Sequence, residues 1–393
     1  MKSNLKKIFA LEFGKNARQI IMLVVLVAIC LVFGVLSGGV FISARNLSNL
    51  TLQAAATAIV AVSVVLVLVA GHIDLSIGSF VALTGAIGAV CIVNYKINTV
   101  ITIIIMLAAG VVMGMWQGYW VAYRRIPSFI VTLAGMQIFR GFALLVTRGV
   151  TIAPMTDTFK IIGQGYLPGI FANERGFNDT ALFAGVVLCI LYTAGEMRRI
   201  RNMKLYNLEV PAKGITLLKV VVICALIMGG MGILSQHLGI PIAVVLVGVL
   251  AVIFNFASHN TSFGKHVYAI GGNKEAAQLS GIDIKKTTFL VFVIMGIMCA
   301  VSGIVYTARI NAATSAAGRN MEMDAIAAAI IGGTSTMGGE GSVLGAIIGA
   351  LIMTSIDNGM SIMNLRPEVQ FIAKGLVLLL AVWMDVSTRR NVK

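Results

Sequence analysis

Charge is what this sequence has least of: Asp, Glu, Lys and Arg make up 11% of the 393 residues, against 58% hydrophobic residues. Soluble domains carry about 25% charge, so with a mean hydropathy of +0.95 water is excluded as the main solvent. Apolar runs recur from residue 19 to residue 384. The chain therefore reads as one membrane domain over 1–393 rather than as the two or three soluble domains its length would otherwise suggest. Acidic residues are scarcer still, 15 against 30 basic ones, a formal net charge of +15. That excess does not imply nucleic acid, because no aromatic residues interleave with the basic clusters as stacking platforms.

Cysteine is nearly absent and never paired. Cys30, Cys91, Cys189, Cys224 and Cys299 sit singly inside apolar runs with no C-x-x-C, which reads as small core residues rather than a redox or metal motif. The four histidines, His72, His237, His259 and His266, are scattered with no metal-ligand spacing. A nucleophile elbow and paired carboxylates at one apolar depth are missing as well. No phosphate-binding G-x-x-x-x-G-K-[ST] occurs, and the nearest candidate, Gly264-Lys265, has His259 where the leading glycine is required. The chain is expected not to be an enzyme, to hold no metal and to hydrolyse no ATP by itself.

What is present is a series of apolar runs, at 19–37, 54–70, 79–95, 99–122, 129–147, 181–197, 216–235, 241–257, 288–308, 324–337, 342–357 and 369–385. A helix crossing the hydrocarbon needs about 20 apolar residues, and every span must satisfy its backbone internally, so the fold is expected to be an all-α bundle of about 10 to 12 transmembrane helices, some broken or re-entrant. The run at 324–337 is short and interrupted by glycine. The first run is read as a retained span, since no small-residue cleavage site follows it. Basic residues cluster between runs: Lys2, Lys6, Lys7, Lys15 and Arg18; Arg124 and Arg125; Arg198, Arg199, Arg201, Lys204 and Lys213; Lys265, Lys274, Lys285 and Lys286; Arg389, Arg390 and Lys393. Short basic loops stay on the cytoplasmic side, which puts both termini there.

Glycine, with 42 copies, recurs at spacings of four, as in Gly110, Gly114 and Gly118 or Gly345 and Gly349, a pattern for close helix packing. Two stretches break apolar runs with glycine and polar residues: 71–78 (GHIDLSIG) and 332–341 (GGTSTMGGEG). Paired interruptions in two halves point to a transport site; an internal repeat is a weaker suggestion. Alternatively these are tight loops, with Asp74 capping the following helix.

The longest polar stretch between runs, 258–286, contains FGKHVYAIGGNKEAAQLSGIDIKK. Residues 274–280 read as a short helix with Glu275, Ala276 and Ala277 near its start and Gly281 as its stop. Its small side chains leave a shallow face that could fit a groove on a partner; equally, it could be a solvated loop helix.

At this segment the chain resembles the permeases of the ribose and xylose branch of ABC sugar importers. The resemblance rests on ARNLSNL at 44–50, GHIDLSIGS at 71–79, RRIPSFIVTLAGM at 124–136, FGKHVYAIGGNKEAAQLSGI at 263–282, DAIAAAIIGGTS at 324–335, DNGMSIM at 357–363 and AVWMD at 381–385. Three spans instead of one between 136 and 263 resemble the xylose-type members, and His72 departs from the usual pattern. The resemblance implies a permease homodimer, a docked ATPase subunit that binds ATP and Mg, a periplasmic or lipid-anchored sugar-binding protein, and a monosaccharide moved across the bacterial inner membrane. It also implies a cytoplasmic coupling loop at 258–286 with Gly264, Tyr268, Gly271, Gly272, Asn273, Glu275, Ala276, Ala277 and Gly281 as the ATPase contact, and no cofactor in this chain. Asp74, Ser76, Ser79, Thr132, Asp324, Thr334, Ser335 and Asn358 are the expected pathway positions. The rival reading is an ion-driven sugar carrier, which needs an ionisable relay deep in the bundle. Only Asp74, Arg140, Lys219, Asp324 and Lys374 lie near or within spans, and most are expected to snorkel to an interface.

Overall fold

The computed structural model describes residues 21–170, 177–206, 208, 210 and 213–390. The basic cluster at 2–18 and Lys393 lie outside the described residues, and so does the expected N-terminal orientation. Among the described residues there is no β-strand, only isolated bridges joining Ile152 to Ala313 and Tyr166 to Pro241. The helices are α1 (Ile21–Leu36), α2 (Ala44–Val69), α3 (Ile77–Ala89), α4 (Thr99–Gly118), α5 (Ser128–Thr147), α6 (Asp157–Gln164), α7 (Asp179–Leu205), α8 (Lys213–Ser235), α9 (Ile242–Asn260), α10 (Ser262–Gly272), α11 (Lys274–Leu279), α12 (Ile284–Ile310), α13 (Met321–Ile331), α14 (Val343–Ile362) and α15 (Pro367–Arg390). Nine helices among the described residues are long and apolar enough to cross a membrane. Each predicted apolar run holds a helix among the described residues; in the run at 324–337 the helix, α13, ends at Ile331.

Polar side chains start many of these helices by satisfying amides that the helix cannot. Ser43, Asn98, Asp283 and Ser342 accept the N–H of Asn46, Val100, Lys286 and Gly345. Pro127, Pro241 and Pro367 stand at the starts of α5, α9 and α15, where a missing N–H costs nothing.

α2 and α12 cross at the centre, and the remaining core helices pack around them in two equivalent sets. α3 and α4 pack on α12, whereas α13 and α14 pack on α2. In each set a long helix is followed by a break, a half-helix and a return helix, then by a helix that begins at a proline. The sets α2–α5 and α12–α15 thus repeat one order of elements, as internal repeats of membrane transporters do. Glycine permits the contacts: a Cβ on Gly110 or Gly114 would strike the α12 backbone at Gly296 or Phe292, and one on Gly345 or Gly349 would strike α13 at Gly332 or Ala328. These are the predicted close-packing glycines, with backbones in direct contact.

The repeat corrects the expected pairing of interruptions. The counterpart of the break after α2 is residues 311–320, between α12 and α13, and not 332–341. Gly78 and Gly318 lie backbone to backbone where these two breaks meet. Residues 332–341 form the turn between α13 and α14, the counterpart of 95–98 between α3 and α4. The sequence hides 311–320 (NAATSAAGRN) because it follows a complete apolar run and reads as an ordinary polar loop.

α7 and α8 pack mainly on each other and touch the core through α2. Most of their surface is apolar and exposed.

Candidate coupling and translocation elements

Asp74 sits in the first break, 2% exposed. Its Oδ1 accepts both the backbone N–H and the hydroxyl of Ser76, at 2.8 and 2.6 Å. Gln117 of α4, fully buried, donates to Ser76 Oγ at 2.7 Å. The result is a directed chain, Gln117 to Ser76 to Asp74, with Asp74 Oδ2, Gln117 Oε1 and Ser79 Oγ unpartnered. Asp74 is thus not the expected helix cap: Ser76 occupies the N-cap of α3, and no side chain bonds its first turn. The short Asx-type turn uses the carboxylate locally instead.

At the meeting of the two breaks, the Glu322 carboxylate, buried in the first turn of α13, accepts the N–H of Gly78 in the first turn of α3. Arg140 of α5 donates to the carbonyls of Ser315 and Ala317 at 3.2 and 2.8 Å. One acid therefore bridges two half-helix starts while one base holds the carbonyls leading into the second, each charge placed to suit the neighbouring backbone dipoles.

The other expected pathway residues do not join this set. Thr132 faces the carbonyl of Ile73 at 3.4 Å. Thr334, fully buried and unpartnered, and Ser335, which accepts the N–H of Met337, stand in the α13–α14 turn. Asn358 accepts from Asn46 at 2.8 Å. Asp324 pairs with Lys374 at 3.0 Å, and Lys374 pairs again with Asp357 at 2.6 Å. The expected snorkelling is corrected by these partners, because Lys374, Arg140 and Lys219 are engaged across helices, the last with Glu196 at 2.9 Å. Burying a charge is tolerable when it is paired. Gln117, Glu322 and Asp357 were absent from the sequence-based set. A lone amide or carboxylate inside an apolar run is the signal that marks them.

The segment 258–286 forms two helices at the basic end of the bundle. α10 begins with the Thr261 side chain accepting the N–H of Gly264, and a Cβ on Gly264 would strike the carbonyls of Ala257 and Ser258. Tyr268 donates to the carbonyl of Gly341 at 2.9 Å, and burial pushes its phenol up. Gly339 donates to the Val69 carbonyl at 2.9 Å, and Gly271 lies against both. Tyr268 and Gly271 therefore join α10 to the end of α2 and to the α13–α14 turn, and α10 cannot shift without straining both. Asn273 caps α11 through the N–H of Ala276, and Gly281, at φ +81°, ends it in the left-handed region as expected from a glycine stop.

α11 exposes most of the residues expected to make the contact, but not Ala277, and adds Leu279, which was not expected. Ala277 is 4% exposed and packs inward, and Leu279 is 90% exposed. Glu275 and Ala276 face outward, as does Gly272 beside the cap, whereas Ala277 is a core residue of the segment. His72, which lies near this region, has its pKa pushed down to about 4 by burial and then by the Lys274 ammonium, and is neutral at physiological pH. Among the described residues no group of His, Cys, Asp and Glu could hold a metal ion.

A bundle with nine helices among the described residues long and apolar enough to span, two breaks that meet inside it and a small helix at one end is that of a multi-pass membrane protein. The chain belongs to the family described as branched-chain amino acid transport system / permease component, whose model matches residues 46–382. It is 42% identical over 376 residues to the xylose transport system permease protein of Haemophilus influenzae, covering 96% of this chain and 98% of that protein. The xylose transport system permease protein of Escherichia coli K12 is 41% identical, over 96% of this chain and 93% of that protein. The ribose import permease protein of the same strain is 31% identical, over 97% and 96%. No solved structure matches.

Proposed function

We propose that this chain is the membrane-spanning subunit of an ABC importer that moves a monosaccharide, xylose or a related pentose or hexose, across the bacterial inner membrane by alternating access. The whole chain forms one transmembrane domain. A separate ATPase subunit binds ATP and Mg and supplies the energy, a periplasmic or lipid-anchored binding protein delivers the sugar, and two copies of the chain pair. The observation that carries the reading is the 42% identity to a xylose permease across 96% of the chain, the coupling segment included. The structure is consistent with a docked partner: α11 projects Leu279, 90% exposed, from the end of the bundle, an apolar contact point, although a single surface leucine does not by itself require a partner. The basic turns at 124–125 and 261–286 support a cytoplasmic location for this end.

The ion-driven reading draws on the Lys374–Asp324–Asp357 cluster, a set of ionisable groups of the kind a relay uses. Proteoliposomes holding the chain with and without its ATPase separate the two. Uptake that needs ATP and the binding protein is expected; sugar accumulation by the chain alone under a proton or sodium gradient overturns the importer reading. Within the importer, Leu279→Asp leaves folding unchanged and abolishes sugar-stimulated ATP hydrolysis, while the inward Ala277 tolerates Ser with little effect on the same rate. Normal hydrolysis by Leu279→Asp removes α11 as the ATPase contact.

A further inference from the structure

At the basic end of the bundle a cavity of about 970 Å³ lies between the break after α2, the α4–α5 turn, α11 and the start of α12. Its size is that of a small-molecule site. Arg125, Lys274 and Lys285 converge on it from three different segments, and the carboxylate that lines it, Asp283, accepts the N–H of Lys286 at 3.0 Å as the cap of α12. None of the three cations has an ion-pair partner among the described residues. Arg124, next along the chain, lies over the Tyr119 ring instead, at 5.4 Å, so the charge gathered at the cavity is not simply every basic residue of the turn. Cations brought together at a partly enclosed surface repel one another, and an anion between them removes that cost.

Neutral polar groups complete the lining. Gln278 and Ser128 face the cavity, and Ser128 Oγ accepts the N–H of Ile73 at 3.3 Å, tying the break after α2 to the start of α5. Lys274 and Gln278 are one helical turn apart on α11, on a different face from Leu279, so an occupant of the cavity leaves the exposed leucine free for a partner. The geometry points to a phosphate-ester site: a phosphate held by Arg125, Lys274 and Lys285, with the attached hydroxylated group against Gln278 and Ser128. A guanidinium and two ammonium groups suit phosphate oxygens. The ester comes either from a soluble phosphorylated sugar or from the headgroup of an anionic phospholipid, which share this chemistry. Either ligand bridges α11 to the α4–α5 turn. If α11 is the coupling element, a consequence that rests on the proposed function, occupancy restrains it and slows transport.

Binding to the full chain alone tests the site without reference to any ATPase. In phosphatidylcholine nanodiscs, ribose 5-phosphate is titrated calorimetrically beside uncharged ribose. Native mass spectrometry follows phosphatidylglycerol carried through detergent washing. Binding of ribose 5-phosphate but not ribose, weakened about tenfold by Arg125→Ala and by Lys274→Ala and unchanged in Lys286→Ala, assigns a soluble ligand. Retention of phosphatidylglycerol by the wild type and by Lys286→Ala, with loss from the other two variants, assigns the lipid. Lys285→Ala serves as a third lining variant, and size exclusion confirms that each is folded. Absence of both ligands from the wild type, or binding that Arg125→Ala and Lys274→Ala leave intact, overturns the proposal.

Discussion

The two halves of the repeat share a backbone plan and differ in what they bury. In the half α2–α5 the break is held by neutral donors around one carboxylate, Gln117 to Ser76 to Asp74, while the charged Arg140 of α5 reaches across to carbonyls of the other half. In the half α12–α15 the corresponding helices carry formal charges, Glu322 at the crossing and Lys374 between Asp324 and Asp357. The glycine contacts recur in both. Close backbone packing is thus a property of the architecture, whereas the polar content was free to diverge, and a substitution has unequal effects at matching places.

The largest effect is expected at Lys374. Lys374→Met leaves two carboxylates half-buried without their cation, and breaking a buried pair in this way costs about 3 to 5 kcal/mol. The thermal unfolding temperature of the detergent-purified chain falls accordingly. Restoring neutrality with Asp324→Asn and Asp357→Asn in the same chain recovers most of the loss, and a triple variant no more stable than Lys374→Met removes the ion cluster as the cause.

Next comes the point where the halves touch. A Cβ on Gly78 strikes the Gly318 carbonyl and crowds the Glu322 carboxylate, so Gly78→Ala costs about 1 to 3 kcal/mol through forced displacement. Gly318→Ala costs a comparable amount, since that residue also sits at φ +65°. Gly141→Ala, where nothing lies within 4 Å, is the control and leaves the unfolding temperature unchanged. Equal stability of all three sinks the assignment of the crossing.

Smaller is the neutral network of the first half. Gln117→Leu leaves Ser76 and Asp74 bonded to each other and removes one buried donor, for about 1 kcal/mol; this is well under Lys374→Met, and the ratio measures how differently the halves depend on their polar groups. The smallest effects are at the matching caps, Asn98→Ala and Ser342→Ala, each about 1 kcal/mol or less in the same unfolding measurement. Because these caps do the same work in both halves, their costs agree; a large difference between them breaks the equivalence of the repeat.

The glycine spacings were legible as sequence because each depends on one residue's own geometry. So was the stop at Gly281, which needs only a backbone free to take positive φ. The outward face of α11 was not legible. Ala277 and Leu279 are two residues apart on a six-residue helix, too short for periodicity to show which side packs; that is decided by the packing of α11 against α10 and α12. The pathway residues failed to gather for a related reason. Asp74 and Asp324 read alike as acids near apolar runs, but one is satisfied by a hydroxyl two residues away and the other by an ammonium 50 residues away.

Composition and run length together determined that this is an all-α protein of the membrane: 58% hydrophobic against 11% charged residues exclude water as the main solvent, and apolar runs of about 20 residues cross hydrocarbon as helices rather than as the shorter strands of a barrel. Local pattern determined where most helices begin and end. Tertiary structure decided which breaks meet, that 311–320 pairs with the break after α2, which charges find partners and which side of α11 is exposed. Those are relations between segments up to hundreds of residues apart, and they are set by which backbones can approach once the helices pack, a quantity that no stretch of sequence carries by itself.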